Sequence, residues 1–371
     1  MRKLVTKRIV SNITPIQNAQ RIELISVDGW SCIAKKGEFT IGDTCLYFEI
    51  DSFIPASDRR FDFLGKQKTY KKKQGYRIKT MKMRGVISMG LALPLSMFPE
   101  LSEVTLKDYS QLLNVEKYDI EVASPRGGLN TGNAKGKFPS FIQKTDQERI
   151  ENLLHYFQIY KDHEFQETLK LEGSSLSVFK VPAEITLWAR IKAYITRTVP
   201  TSYRFGVCSR NLEIKPSDKF ETTFDNNGKP STYKQSDFWS MAKTLRLEQK
   251  IPEGYAFQFE LLGPKIQGGH EGSVELEAYC FDVYDITNQT YLLPKEAEKL
   301  CLELKVPYVP VVANSIKIFT ECNSLELLQE RVTGDSFRPG VTSEGRVYKS
   351  CSIPGLSFKS ISPEYLVKQK G

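Results

Sequence analysis

Histidine is scarce in this chain of 371 residues, and His155, His163 and His270 do not cluster. The seven cysteines include no Cys-x-x-Cys pair, so the spacing of neither a structural zinc site nor a dithiol redox motif is present. Scattered thiols of this kind fit a reducing compartment, the cytoplasm or, in a eukaryote, the nucleus. Long hydrophobic runs are missing as well. The opening MRKLVTKRIV has no sustained apolar centre, and no later stretch approaches the ~18 apolar residues that span a bilayer. Neither secretion nor a membrane contact is expected.

The length exceeds what one ordinary core fills and calls for two domains. The formal charge of +8 leans toward a polyanionic partner. Short β-type runs separated by turns fill the first ~120 residues, at Lys3 to Val10, Arg21 to Val27, Ser31 to Ala34, Thr44 to Ile50, Arg77 to Met83 and Gly90 to Leu93. This spacing suggests a small closed barrel of OB type over 1–122. Lys66 to Arg84 holds nine basic residues and no acid, with Tyr70 and Tyr76 between them. It reads either as a solvated loop or as a phosphate-tracking surface with aromatic stacking.

Ser124 to Lys137 is rich in Gly, Asn and Ser, and a linker is expected over 123–140. A helix is expected next: Thr145 and Glu148 have capping-box spacing, and Ile150, Leu153, Leu154 and Phe157 make one apolar face. From Thr168 onward β-type runs dominate, with helices at about Ser236 to Gln249, Pro294 to Leu304 and Asn323 to Val332. The second domain, 141–371, is therefore α+β with an antiparallel sheet core. An insertion is expected near 182–203.

Lys170-Leu171-Glu172-Gly173 carries the candidate chemistry. A deprotonated lysine can attack the α-phosphorus of a nucleoside triphosphate, provided that cations or a metal lower its pKa. The glycine permits a sharp turn beside the phosphate, and the acid can hold a metal-bound water. Four residues are a short match. Five ordered partners strengthen it: Arg210 as a fixed cation, Glu260 near the end of an apolar strand, Phe281 for stacking on a purine, Glu344 as a second strand-edge carboxylate, and Lys359 as a late cation. Taken singly, each is more often a surface charge or a core ring.

In this order the segments resemble motifs I, Ia, III, IIIa, IV and V of the covalent nucleotidyltransferases, which include RNA and DNA ligases and mRNA-capping enzymes. The string Phe257 to Gly268 is similar to the motif III region of RNA ligases, and Phe138-Pro139 with Thr145 to Ile150 resembles the lead-in to their lysine. With an OB barrel in front, the chain resembles the deinococcal-type RNA ligase clade. The resemblance implies an ATP-dependent RNA ligase: Lys170 forms lysyl-AMP, the AMP passes to an RNA 5′-phosphate, and a 3′-hydroxyl displaces it. It implies Mg²⁺ or Mn²⁺ held largely through waters by Glu172, Glu260 and Glu344. Nucleotide contacts would come from Arg149, Glu172, Arg210, Glu260, Phe281 and Lys359. RNA, as a nicked duplex or broken ends, is the implied partner of a monomeric enzyme.

Two departures stand out. Glu172 occupies a position that is aspartate in many ligases. Motif V commonly carries two lysines one residue apart, but Lys359 is followed at that spacing by Ile361, so Lys349 is the candidate for the second phosphate contact. Two other readings stay open: a capping-type guanylyltransferase using GTP, and a non-catalytic RNA-binding protein with an OB module.

Overall fold

The computed structural model describes residues 2–118, 134–183, 195, 202–216, 221–224, 230–233, 237–264 and 266–368. Burial alternates with period two in β2 (Ile22–Val27) and β3 (Trp30–Lys35), as a sheet with one face on a core requires. These strands join β1 (Val5–Pro15), β4 (Thr44–Phe48) and β10 (Leu91–Pro94) in a curled antiparallel sheet ordered β10-β4-β1-β2-β3. This is the expected OB-type barrel. Strand β4 is buried on both sides: Cys45 and Tyr47 join Val10, Ile25 and Trp30 in one cluster, while Leu46 and Phe48 join Phe61, Tyr76 and Phe98 in another.

The basic run departs from its expected form. Instead of one strand from Arg77 to Met83, it makes two hairpins, β6 (Lys68–Tyr70) with β7 (Lys73–Arg77) and β8 (Thr80–Met83) with β9 (Val86–Met89). Tyr70 and Tyr76 are only 2% and 3% exposed, so neither ring is available for stacking on a base. Tyr70 packs on Phe53, and Tyr76 lies in the barrel's second core cluster. Lys71 and Lys73 both pair with Glu116, at 3.3 and 2.5 Å.

The second half is built on two sheets. A seven-stranded sheet runs β12 (Ala134–Lys137), β17 (Leu212–Ile214), β16 (Tyr203–Cys208), β15 (Ser174–Pro182), β20 (Tyr255–Leu262), β21 (Glu277–Asp285) and β22 (Thr290–Tyr291). A five-stranded sheet runs β13 (Glu148–Arg149), β25 (Ser357–Ile361), β24 (Gly345–Ser350), β14 (Phe165–Lys170) and β23 (Val311–Ile316). Helices Asp237–Thr244 and Pro294–Glu303 cover one face of the larger sheet, where Trp239, Met241, Ala297 and Cys301 pack on Leu176, Val178, Phe257 and Phe259. On the other face Phe179, Cys208, Ala256 and Tyr284 pack with Ile142 and Phe138.

Two expectations are corrected here. Ala134–Lys137, assigned to the linker by composition, is a strand paired with β17. An edge strand has one side free, so glycine and lysine are tolerated there. The helix expected from Thr145 does not form: Glu148 and Arg149 instead pair in parallel with Phe358 and Lys359, and α-helix is confined to Tyr156–Ile159. The Thr145 hydroxyl contacts Gln258 and the Tyr291 hydroxyl, and the Glu148 carboxylate accepts from Arg149 N and Asn152 Nδ2, each at 2.9 Å. Tertiary contacts of Thr145 and local contacts of Glu148 thus replace the capping box.

The C-terminal helix also crosses the expected domain boundary. In helix Pro363–Lys368, Tyr365 and Leu366 join Ile361 in the barrel core around Trp30. Trp30 Nε1 and Arg8 Nη2 both donate to Asn152 Oδ1, at 2.8 and 2.9 Å. Residues 123–133 of the expected linker, and most of the insertion expected near 182–203, lie outside the described residues.

Candidate active site

The chain passes from the five-stranded to the seven-stranded sheet at the Lys170–Gly173 turn, since Lys170 ends β14 and Ser174 begins β15. Gly173 is required by close approach: a Cβ there would collide with the Leu261 carbonyl oxygen and lie 3.1 Å from Glu260 Cγ. The glycine of the motif therefore brings Glu260 against the lysine turn.

Strand register sets the opposite wall. Lys170 pairs with Gly345, Thr168 with Val347 and Gln166 with Lys349; Val347 in turn pairs with Lys359, and Lys359 with Arg149. Residues two apart share a face of a strand, so one face of this sheet carries Lys170, Lys349, Lys359 and Arg149. Gly345 has φ 146°, and a Cβ on it would meet the Ser360 carbonyl and lie 2.9 Å from Ile361 Cα. That glycine lets Glu344, one residue earlier, reach Lys170.

Lys170 Nζ lies 2.6 Å from Glu344 Oε2. Burial works against the lysine's charge, but Glu344, Glu260 and Glu172 outweigh it and hold the pKa above the ordinary lysine value. The depressed pKa that a nucleophile needs is therefore not produced by the protein alone. Three carboxylates around one ammonium leave room for further positive charge, and oxygen donors suit a hard divalent cation. Among the described residues, no three His, Cys, Asp or Glu side chains close into a direct metal cage. The arrangement suits a cation that keeps its waters.

Phe281 is displaced by a bulge. Gln258 pairs with Asp282 and Phe259 with Cys280, which makes Phe281 the extra residue in β21. Ala278, Cys280 and Val283 face the helix-covered core, so the bulge turns both Phe281 and Asp282 to the cleft side. Lys349 Nζ lies 2.5 Å from Asp282 Oδ1, donates to the Phe281 carbonyl and sits 5.6 Å from the Phe281 ring centroid. The structure thus places Lys349 beside the ring, locked in an ion pair.

The remaining cations gather on Asp146. Lys359 lies 3.6 Å from its carboxylate, Arg210 3.8 Å and Lys117 of the barrel 3.9 Å. Burial raises the Asp146 pKa, but Lys359, Lys117 and Arg210 outweigh it and keep the carboxyl below its usual range. Burial lowers the Lys359 pKa to about 8, aided by Lys170, Arg149 and Arg2 against the pull of Asp146. Arg149 is buried, with its guanidinium 5.6 Å from the Trp30 ring centroid, and so stands at the junction with the barrel.

Sequence reasoning missed His270 and Glu271 in this site. His270 Nδ1 lies 3.3 Å from Glu172 Oε2, and Glu271 Oε1 accepts from Glu172 N at 3.0 Å. The available signal was the dense run Gly268-Gly269-His270-Glu271-Gly272, whose three glycines all take positive φ. Such a turn re-enters the site directly after the motif III strand.

An OB barrel in front of a two-sheet domain, with a lysine turn ringed by glutamates, defines the class as a ligase-type nucleotidyltransferase. Comparison with known proteins agrees: an OB-fold domain family matches residues 4–95, and the RNA ligase family matches residues 163–361. Naegleria gruberi RNA ligase with PPi is 33% identical with a TM-score of 0.81, over 100% of this chain and 99% of that one. A glutamate-to-alanine variant of the same ligase, with ATP and Mn, is 32% identical with a TM-score of 0.81, over 100% of both chains. Another glutamate-to-alanine variant, with AMP and Mn, is 31% identical with a TM-score of 0.80, over 99% of both. No curated protein sequence matches the chain. The chain belongs to the RNA ligase family.

Proposed function

We infer that this RNA ligase is ATP-dependent and joins an RNA 3′-hydroxyl to a 5′-phosphate through lysyl-AMP and RNA-adenylate, with Lys170 as the nucleophile. The observation that carries the reading is the Lys170 turn itself, where Glu344, Glu260 and Glu172 converge on one amine. The Naegleria ligase holds ATP with Mn and AMP with Mn, which supports ATP and a divalent cation here. In the first step the Lys170 amine, once deprotonated, forms a bond to the α-phosphorus while the bond to the β-phosphate oxygen breaks and pyrophosphate leaves. Glu344 is an acceptor 2.6 Å from that amine for the proton lost.

Phe281, turned to the cleft by its bulge, stacks on adenine, and Lys349 steadies the strand beneath it. Lys359 stabilises charge on the α-phosphate. Arg210 contacts the ribose or the 5′-phosphate, and Arg149 reaches the triphosphate or the RNA phosphate at the barrel junction. Glu172, Glu260 and Glu344 would hold Mg²⁺ or Mn²⁺ through waters; the chemistry it supplies is neutralisation of the α-phosphate and release of the ammonium from the carboxylates. The same reading divides the chain into an OB domain over 1–122 and a nucleotidyltransferase domain whose sheet begins with the strand Ala134–Lys137. The order of these domains supports the deinococcal-type clade. RNA ends or nicked duplex are the substrates.

Incubation with α-labelled ATP or GTP tests this reading. Covalent label from ATP, absent in Lys170→Ala, is expected. Label from GTP alone would favour a capping-type enzyme, and no label with tight RNA binding would favour a non-catalytic binder. Wild-type labelling in Lys170→Ala would overturn the site.

A further inference from the structure

The turn after β20 makes contacts that the adenylylation chemistry itself does not require. His270 Nε2 donates to the Thr342 carbonyl at 2.9 Å, while Nδ1 faces Glu172 Oε2 at 3.3 Å. Thr342 lies two residues before Glu344, so one imidazole ring touches the motif I carboxylate and the loop that delivers the motif IV carboxylate. The next residue repeats the connection. Glu271 is 2% exposed; its Oε1 accepts from Glu172 N at 3.0 Å and its Oε2 accepts from Ser336 Oγ at 2.9 Å. Arg338 Nη1 closes the unit by donating to the Glu271 carbonyl and to Ser273 Oγ, each at 2.7 Å.

We propose that His270 and Glu271 form a positioning clamp that holds Glu172 and Glu344 in register with each other across the cleft between the two sheets. Two consecutive side chains each bind the Lys170–Gly173 turn at one end and the 336–342 loop at the other, although more than 160 residues of sequence separate those two segments. The backbone is shaped for this task. Gly268, Gly269 and Gly272 take φ of 73°, 72° and 67°, and a Cβ on Gly269 would lie 2.9 Å from the Pro264 carbonyl oxygen. The back of the clamp is closed by Tyr365, whose ring meets His270 edge-on at 5.1 Å while belonging to the barrel core cluster. The clamp therefore also leans on the helix that fastens the barrel.

The physical need is electrostatic. Carboxylates that share one small volume repel each other, and without fixed partners they rotate toward water and lose the spacing that a hydrated cation requires. Side chains that bind behind the carboxylates supply that fixity, and their removal commonly costs about 10- to 100-fold in metal affinity. His270 and Glu271 act through Glu172 and Glu344, as positioning residues.

The inference rests on the reading of Glu172 and Glu344 as metal-holding carboxylates, and the test separates the two. Mn²⁺ binding in the presence of AMP is measured by electron paramagnetic resonance on folded wild type, His270→Ala, His270→Gln and Glu172→Ala, alongside lysyl-AMP formation against Mn²⁺ concentration. His270→Ala is expected to weaken Mn²⁺ binding about tenfold, with the extent of lysyl-AMP restored at saturating Mn²⁺. His270→Gln, which returns a hydrogen-bonding side chain between Glu172 and Thr342, is expected to recover part of the loss. A shift in Glu172→Ala with none in folded His270→Ala overturns the clamp and leaves the metal reading intact. No shift in either overturns the metal reading, and the clamp with it. If His270→Ala does not fold, Arg338→Ala, which frees the Glu271 carbonyl, is measured in its place; weaker Mn²⁺ binding supports the clamp, and wild-type binding overturns it.

Discussion

Lys170 and Glu167 lie three residues apart on β14 and face opposite sides of the same sheet, each in a largely buried charge cluster. On the far side, Glu167 is complete: Arg331 Nε and Nη2 donate to its two oxygens at 3.1 and 2.7 Å, and the Tyr348 hydroxyl donates at 3.0 Å. On the cleft side, three carboxylates surround one ammonium, while Lys359, paired with Asp146 at 3.6 Å, and Arg149 add positive charge nearby. The first cluster balances its charges internally and needs nothing further. The second is ordered but uncompensated, and this excess suits it to a ligand that brings both a cation and phosphates.

The sharpest test exchanges the losses. Lys170→Ala is expected to abolish covalent labelling while the protein stays folded. Glu167→Ala is expected to lower unfolding stability by about 2 kcal/mol, the scale of charge-assisted hydrogen bonds with a partly exposed partner, and to leave labelling intact below its melting range. Denaturant titration and label transfer on both variants decide this; loss of labelling in folded Glu167→Ala would erase the contrast between the two faces.

A smaller effect is expected at Gly345, which pairs with Lys170. Gly345→Ala puts a side chain into a left-handed backbone against Ser360, at a cost of about 2 kcal/mol, and shifts Glu344 from Lys170. Lower stability together with weaker labelling is the expected result, read from the same two measurements. Stability loss with unchanged labelling would mean that Glu344 finds its place independently of the glycine.

The smallest effect concerns pH. The Lys359 pKa in the fold, about 8, lies below its unfolded value. Between those two values the unfolded chain binds more protons, so stability gains as pH rises through this window, and charged Lys359 is a penalty at neutral pH. Lys170 has the opposite sign: its raised pKa contributes stability that is present at neutral pH and lost only as pH rises past the folded value. Without nucleotide, Lys359→Met is expected to raise the melting temperature by a few degrees at pH 7, with the gain gone near pH 10.5. A lower melting temperature at pH 7 would show that the Asp146 pair outweighs the burial of the lysine.

The strands that carry Lys170, Glu260, Phe281 and Lys359 were legible because period-two alternation and glycine turns are written locally. The class of chemistry was legible because these segments, in that order, resemble the motifs of the covalent nucleotidyltransferases. The helix expected at Thr145 was misread for a matching reason. Its capping box was a true local signal, but pairing of Glu148 and Arg149 with β25, more than 200 residues away, competed with it and won. Tyr70 and Tyr76 looked like stacking rings beside lysines until the barrel buried them.

The amino-acid sequence by itself determined the class of chemistry, the order of its parts and the barrel in front, since residue type and short-range spacing carry these. The tertiary structure decided which charges meet. The bulge at Phe281 brought Asp282 beside Lys349, the crossing of two sheets set three glutamates around Lys170, and a glycine-rich turn delivered His270 and Glu271 behind Glu172. Each of these depends on register between strands distant in the chain, which is set by packing and backbone pairing across the whole domain and not by any local run of residues.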